Sequence, residues 1–295
     1  MTQRSPRELV DELAALLTVA PTGDDTFAGS PTPRDLSNGA GRIYGGQVIA
    51  QALAAAMATV PEDRAVHSLH AYFLRMGDDA RAVDMAVSRD LDGGSFSNRH
   101  VRATQDGRVL LSMSASFHKR AEAIAHQDPM PDVPGPEGLP SDAELRRRQA
   151  HRLPESRRAF LTQDRALDLR IVEQLDWLEP ERIPAVTHTW LRATAPLGED
   201  QRLHRLFLAY ASDMAPMRTA AQPHGITWFS GKVADASLDH AIWFHDDVAM
   251  DEWLLYVTRS AWAGKGRAHI TGQVFTRDGR LVASVAQEGM FRFLA

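Results

Sequence analysis

The chain of 295 residues contains no cysteine. That absence excludes a disulfide framework, thiolate zinc sites and a cysteine nucleophile together. Long apolar runs are also missing, and nothing approaches the ~18 residues that a membrane-crossing helix needs. The amino-terminal stretch carries Glu8, Asp11 and Glu12 and has no apolar segment of the signal-peptide kind. The chain ends Arg292-Phe293-Leu294-Ala295, which is not a Ser-Lys-Leu-type peroxisomal address. The expectation is a cytoplasmic protein with no membrane partner. Positive charge is not in excess: 33 Lys and Arg stand against 38 Asp and Glu, a formal net charge of −5. Nucleic-acid binders leave a basic footprint, so nucleic acid is not an expected partner, although a local basic patch for a phosphorylated ligand is compatible with this total. There is no Gly-x-Ser-x-Gly elbow and no His-Glu-x-x-His, and Gly39-Ala40-Gly41 breaks the dinucleotide-binding spacing.

What is present is ordinary globular material, 44% hydrophobic and 24% charged, enough for a sizeable core. The chain also repeats itself. Thr104 to Ser114 reads TQDGRVLLSMS, and Thr276 to Ala286 reads TRDGRLVASVA, an offset of about 172 residues. Each reads as a hairpin, because an Asp-Gly pair between apolar runs is a strong short-range turn signal. Upstream, His70-Ala71-Tyr72-Phe73 resembles His240-Ala241-Ile242-Trp243-Phe244 at an offset of about 170, with a gap of one residue. Two matches at nearly one spacing point to duplication.

A helix candidate precedes the strands in each copy. Gly45-Gly46 opens the first, in which Val48, Ile49, Ala52, Leu53, Ala56 and Val60 keep helical spacing. Few polar faces remain, so this helix is expected to be wrapped on several sides. Leu203, Leu206, Phe207, Tyr210 and Met217 form a similar stripe in the second copy. Between the copies, His126 to Pro140 holds five prolines and two glycines and reads as an extended connection. Ser141 to Arg158 follows as a surface helix or partly ordered linker with a possible cap at Ser141. The reading divides the chain into residues 1–118, a linker 119–163, and 164–295. Each half becomes a long buried helix wrapped by an antiparallel sheet, an α+β layer arrangement.

Polar residues on faces that should be apolar are the candidates for chemistry. Asp213 falls in the stripe Leu206, Tyr210, Asp213, Met217, where a carboxylate is costly unless hydrogen-bonded or functional. The alternative is an aspartate at a helix bend near Pro216, capping or turned outward. Gln287 shares its strand face with Leu281, Ala283, Val285 and Phe291 and so points toward the helix. At the 172 offset the first copy has Ala115. The alternative there is a core glutamine satisfied by backbone. Ser237 alternates with Val233, Asp235 and Asp239 on a strand, and a strand serine by itself carries no signal. His240 is read as a satisfied structural histidine, or as a support for the site. His224 is read as a loop residue that shapes the pocket.

Gly45-Gly46-Gln47-Val48, His67-Ser68-Leu69-His70-Ala71-Tyr72-Phe73-Leu74, Gln222-Pro223-His224-Gly225, Leu238-Asp239-His240, Trp243-Phe244-His245, Glu252-Trp253-Leu254-Leu255-Tyr256 and Gln287-Glu288-Gly289 together resemble the TesB-type acyl-CoA thioesterases II, from about Leu9 onward. The resemblance implies a tandem (double) hotdog fold, hydrolysis of fatty acyl-CoA, no cofactor, no metal, and pairing into a homodimer or homotetramer. It also implies a water held by an Asp, a Thr or Ser, and a Gln, which here match Asp213, Ser237 and Gln287. Members often carry threonine at the middle position; this chain keeps the hydroxyl and loses a methyl. Asp213 would accept a proton from the water, Ser237 and Gln287 would hold it, and backbone N–H groups are the expected oxyanion donors. Arg75, Arg99, Arg102 and Arg267 are candidate contacts for the CoA phosphates. Met214, Trp228 and Phe229 are candidates for the acyl tunnel. Two other readings stay open. One is an acyl-CoA hydratase on the same fold, for which Asp239-His240 is the candidate acid–histidine pair. The other is a non-catalytic acyl-CoA-binding protein.

Overall fold

The computed structural model describes residues 4–34, 36–37, 41–153, 155–173, 176, 178–214, 216–227 and 233–294, the side chains of 156 and 157 excepted. The first half comprises α1 (Pro6–Leu17), β1 (Val19–Gly23), β2 (Thr26–Gly29), α2 (Gly45–Ala58), β3 (Ala65–Phe73), β4 (Val83–Asp92), β5 (Phe96–Gln105) and β6 (Arg108–His118). α3 (Asp142–Arg148) and α4 (Glu155–Thr162) lie in the connection. The second half comprises β7 (Leu167–Ile171), β8 (Val186–Ala193), α5 (Gln201–Ser212), α6 (Pro216–Ala221), β9 (Val233–Ser237), β10 (Asp239–Phe244), β11 (Leu254–Gly264), β12 (Arg267–Thr276) and β13 (Leu281–Phe293).

The strands form one antiparallel sheet in the order β1-β2-β4-β5-β6-β3-β10-β13-β12-β11-β8-β7, with β9 also paired to β13. Outward from the β3–β10 junction, each half runs through its last strand and back to its first. This is the tandem hotdog arrangement, and the two half-sheets are fused by the pairs Leu69–Ile242 and Ala71–His240.

α2 is buried on nearly every side because alanines, Val48, Ile49 and Leu53 leave no polar face. Its two buried amides donate to backbone: Gln47 Nε2 to Ser30 O, and Gln51 Nε2 to Leu16 O and Ser30 O. α5 begins at Asp200, whose carboxylate accepts from Arg202 N–H. The long second helix expected from the Leu203–Met217 stripe is in two pieces. α5 stops at Ser212, and Met217 belongs to α6. Pro216 has no N–H to return to Ser212 O, the acceptor four residues back. Tyr256 Oη donates to that carbonyl instead, at 3.1 Å.

Both Asp-Gly hairpins form, with different turns. Asp106 and Gly107 have φ of 50° and 70°, the two-residue type I′ pattern. At Asp278-Gly279 the loop is longer, closed by Thr276 N–H to Arg280 O at 2.9 Å, and only Gly279 is left-handed, at φ 91°. The upstream match needs correction. His70 is exposed and His240 is fully buried, so the two histidines occupy opposite faces and do not correspond. Phe73 pairs with Leu111 and Phe244 with Ala283, an ungapped offset of 171 that keeps faces in phase. On that offset the counterpart of His240 is Leu69.

The proline-rich connection is docked. Trp190 Nε1 donates to Pro134 O at 2.8 Å, and Met130, Val133 and Leu139 cover a cluster of Trp190, Trp253, Leu255, Val257 and Phe275. Ser141 caps α3 by accepting from Glu144 N–H. Among the described residues, no helix is long and apolar enough to cross a membrane.

Candidate active site

Asp213 is the C-cap of α5, with its carboxylate at the amino end of α2. The helix break at Pro216 frees it from the α5 ladder and lets it turn into the interface between the two central helices. Glycine is required opposite it. A Cβ on Gly45 would lie 2.7 Å from Asp213 Oδ2, and one on Gly46 would lie 2.5 Å from Tyr210 O. Gly46 N–H donates to the Asp213 carboxylate. A helix amino end favours negative charge, yet burial outweighs it. Desolvation raises the Asp213 pKa to about 7, partly opposed by hydrogen bonds from Gln287, Gly46 N–H and Ser237, while Asp235 adds to the rise.

Gln287 and Ser237 converge on this carboxylate from neighbouring strands. Gln287 Nε2 donates to Asp213 Oδ1 at 3.1 Å and to Ser237 Oγ at 2.6 Å. Ser237 Oγ lies 3.5 Å from Asp213 Oδ1, at the limit of a hydrogen bond. The three residues named from the sequence therefore form one cluster. Gln287 is a core glutamine, but its partners are side chains rather than backbone.

A β-bulge brings Ser237 in. Ser237 pairs with Gly289 and Ala241 with Ala286, so three residues on one side oppose two on the other. The extra residue reverses the alternation between β9 and β10. Ser237 and His240, three apart and expected on opposite faces of a regular strand, both reach Gln287. Asp239 secures the bulge by accepting from Glu288 N–H at 2.6 Å. The sequence left His240 between a satisfied structural histidine and a support for the site, and the geometry makes it both. Its ring lies 2.7 Å from Gln287 Oε1 and 2.9 Å from Ser212 Oγ, and burial lowers its pKa to about 4. The signal was available: a histidine in phase with Ile242 and Phe244 on an inward face.

Asp213 and Ser237 open onto a cavity of about 900 Å³. Val48, Phe73, Met214 and Met217 supply apolar wall, and Arg42, Arg75, Arg146, Arg218 and Arg292 supply positive charge. Of the four arginines expected at a phosphate site, Arg75 alone lines this cavity. Arg99 is fully buried against Thr59 and Asp92. Arg102 is exposed on β5, and Arg267 pairs with Glu288. Met214 is at the cavity as expected; Trp228 and Phe229 lie outside the described residues. His224 sits in a short 3-10 turn and is not part of the lining. Among the described residues, no group of three or more His, Asp or Glu could hold a metal ion.

A family model described as Acyl-CoA thioesterase N-terminal domain matches residues 32–118, and one described as Acyl-CoA thioesterase C-terminal domain matches residues 128–291. Acyl-CoA thioesterase 2 of Haemophilus influenzae is 33% identical, over 97% of this chain and 99% of its own. Acyl-coenzyme A thioesterase 8 of Homo sapiens is 36% identical, over 95% of this chain and 88% of its own. The crystal structure of acyl-CoA thioesterase II TesB2 from Mycobacterium marinum has a TM-score of 0.77 and 36% identity, covering 97% of this chain and 98% of that one. The chain belongs to the TesB-type acyl-CoA thioesterases and is a double-hotdog thioester hydrolase.

Proposed function

We propose that this enzyme hydrolyses fatty acyl-CoA to fatty acid and CoA by direct attack of a water held by Asp213, Ser237 and Gln287. The observation that carries the reading is their mutual hydrogen bonding beside a large cavity that Asp213 and Ser237 line, around a carboxylate whose pKa burial raises to about 7. A base serves best when its pKa is close to the working pH. Asp213 takes one proton from water as its oxygen bonds to the thioester carbon. The C–S bond then breaks, and the thiolate leaves with the electron pair. A thiol of pKa about 8–9 is a good leaving group and places little demand on a strong general acid. The first turn of α2 reaches the cavity at Gly45 and offers helix-end N–H groups for the developing oxyanion. Five cavity arginines suit the phosphates of CoA, and the Met and Phe side chains suit an acyl chain. We take residues 1–118 and 164–295 as the two hotdog units and 119–163 as the connection docked on the second. Pairing of chains into a dimer or tetramer is a further proposal, answered by light scattering.

The hydratase reading is disfavoured. His240 is fully buried and bonded to Gln287 and Ser212, and Asp239 is engaged by Glu288 N–H, so the pair does not converge on the cavity. Purified enzyme mixed with a saturated acyl-CoA is expected to release free thiol. Ser237→Ala should lower kcat about tenfold, whereas Ser237→Thr should hold or raise it. An enoyl-CoA that gains water without releasing thiol would instead support hydration. Gly45→Ala tests the approach of α2. Alanine favours helix by about 1 kcal/mol over glycine, so the chain should fold, but the new methyl displaces Asp213. A 1 Å displacement is expected to cost about 10²-fold in kcat, and an unchanged kcat would count against this carboxylate.

A further inference from the structure

We infer that His240 is a positioning residue: held by Ser212, it locks the Gln287 amide so that Nε2 faces Asp213 and Ser237. The inference rests on the water-attack reading above. The hydrogen-bond roles follow from counting protons. Gln287 Oε1 has no hydrogen, so its 2.7 Å contact requires His240 to donate from Nδ1. Burial keeps the ring neutral, which leaves Nε2 bare, so Ser212 turns its single hydroxyl hydrogen to Nε2 at 2.9 Å in preference to Ala209 O at 3.1 Å. The opposite amide orientation would set Oε1 against the Asp213 carboxylate and leave Nδ1–H facing an N–H₂ group. The chain of donors runs from Ser212 through His240 to Gln287 and ends on Asp213 and Ser237.

The first half supplies an internal control. Thr59 and Asp213 are the C-caps of α2 and α5, which aligns Ala58 with Ser212. Leu69 and Ala115 are cross-strand partners in β3 and β6. His240 and Gln287 are their counterparts, one step beyond the partners Ala241 and Ala286. The second half thus carries Ser212, Asp213, His240 and Gln287 where the first carries Ala58, Thr59, Leu69 and Ala115. A histidine kept only to fill a core would have no reason to accompany the acid and the amide.

The lock matters most when Asp213 is protonated, because a protonated carboxyl can donate to a flipped Oε1. A flip would then stabilise the inactive acid form. The groups facing Asp213 are Gln287, Ser237, the Gly46 N–H, Asp235, Tyr44, Tyr210 and Tyr256, and the tyrosine hydroxyls are held neutral by burial.

The test compares His240→Leu with His240→Asn. Leucine is the first-half residue and has no donor, whereas the asparagine amide keeps a donor near Nδ1. His240→Leu is expected to lower kcat about 10–100-fold with KM within about twofold, and to move the acid limb of the pH–rate profile upward by about one unit. His240→Asn should restore most of kcat and the original limb. Ser212→Ala, a milder change, should shift the limb in the same direction, and ¹⁵N NMR of wild-type enzyme should show the Nδ1–H tautomer at His240. Equal kcat and limbs for Leu and Asn, or an Nε2–H tautomer, would overturn the inference while leaving thiol release and its dependence on Asp213 intact. If Asp213→Asn is itself fully active, the water-attack reading fails first, and the NMR tautomer still decides the hydrogen-bond roles.

Discussion

Asp213→Asn is expected to lower kcat/KM by roughly 10²–10⁴ while leaving the fold intact. Asparagine fills the same space and its one side-chain oxygen can still accept from Gln287 Nε2, but it cannot take a proton from water. The pH profile carries the same information. Wild-type activity should rise with pH through about 7, as Asp213 loses its proton, and then level. The residual activity of Asp213→Asn should lack that limb. Stability should move the other way. The folded-state pKa of Asp213 is raised above an unfolded value of about 3.9, so the fold binds this proton more tightly than the unfolded chain does. Its stabilising contribution is complete below about pH 4 and is lost as pH climbs through about 7. Asparagine carries no charge and escapes the loss. At pH 8 the variant should therefore unfold at higher urea than wild type, with the difference closing toward pH 4. A variant as active as wild type, or one less stable at pH 8, would defeat this account of the carboxylate.

Gln287→Ala should abolish activity to a comparable degree, roughly 10²-fold or more in kcat, with the opposite effect on stability. Removing the amide leaves His240 Nδ1 without its acceptor and Ser237 without its 2.6 Å donor, in a site closed to solvent at Gln287. A buried polar group left unpaired costs about 1–3 kcal/mol, so urea unfolding should show a clear loss. The amide also opposes the rise in the Asp213 pKa, so the remaining activity should show its acid limb at higher pH. The two variants are a matched pair: both inactive, one stabilised above neutrality and one destabilised. If both were destabilised alike, Asp213 would be an ordinary structural carboxylate rather than a strained one.

Much of the molecule was legible in the residues. The Asp-Gly turns at 106 and 278, the alanine-rich helix opened by Gly45-Gly46 and the apolar alternation of β13 are local patterns, and local sterics and periodicity decide them. Asp213 and Gln287 stood out because each is polar in an apolar phase. The limits appear where phase itself changes. Matching His70 to His240 required a gap, and that gap moved one histidine to the wrong face; only the registers of β3 on β6 and of β10 on β13 show Leu69 at the corresponding position. The extra residue between Ser237 and Ala241 has the same character. A single added residue inverts a strand's faces, and no composition rule marks where it falls.

The sequence by itself determined that there are two related halves, that each has a buried helix and a meander, and that Asp213 and Gln287, the polar exceptions singled out for chemistry, lie in the second. Those properties depend on neighbours within a few residues or on self-similarity along the chain. Only the tertiary structure decided that the amino end of the first half's helix, at Gly45 and Gly46, closes on Asp213, and that Ser212 and His240 stand behind Gln287. Gly45 and Asp213 are far apart in the chain and meet only because β3 and β10 fuse the half-sheets and set α2 against α5. A contact of that kind is a product of packing between elements, which periodicity along one element does not encode.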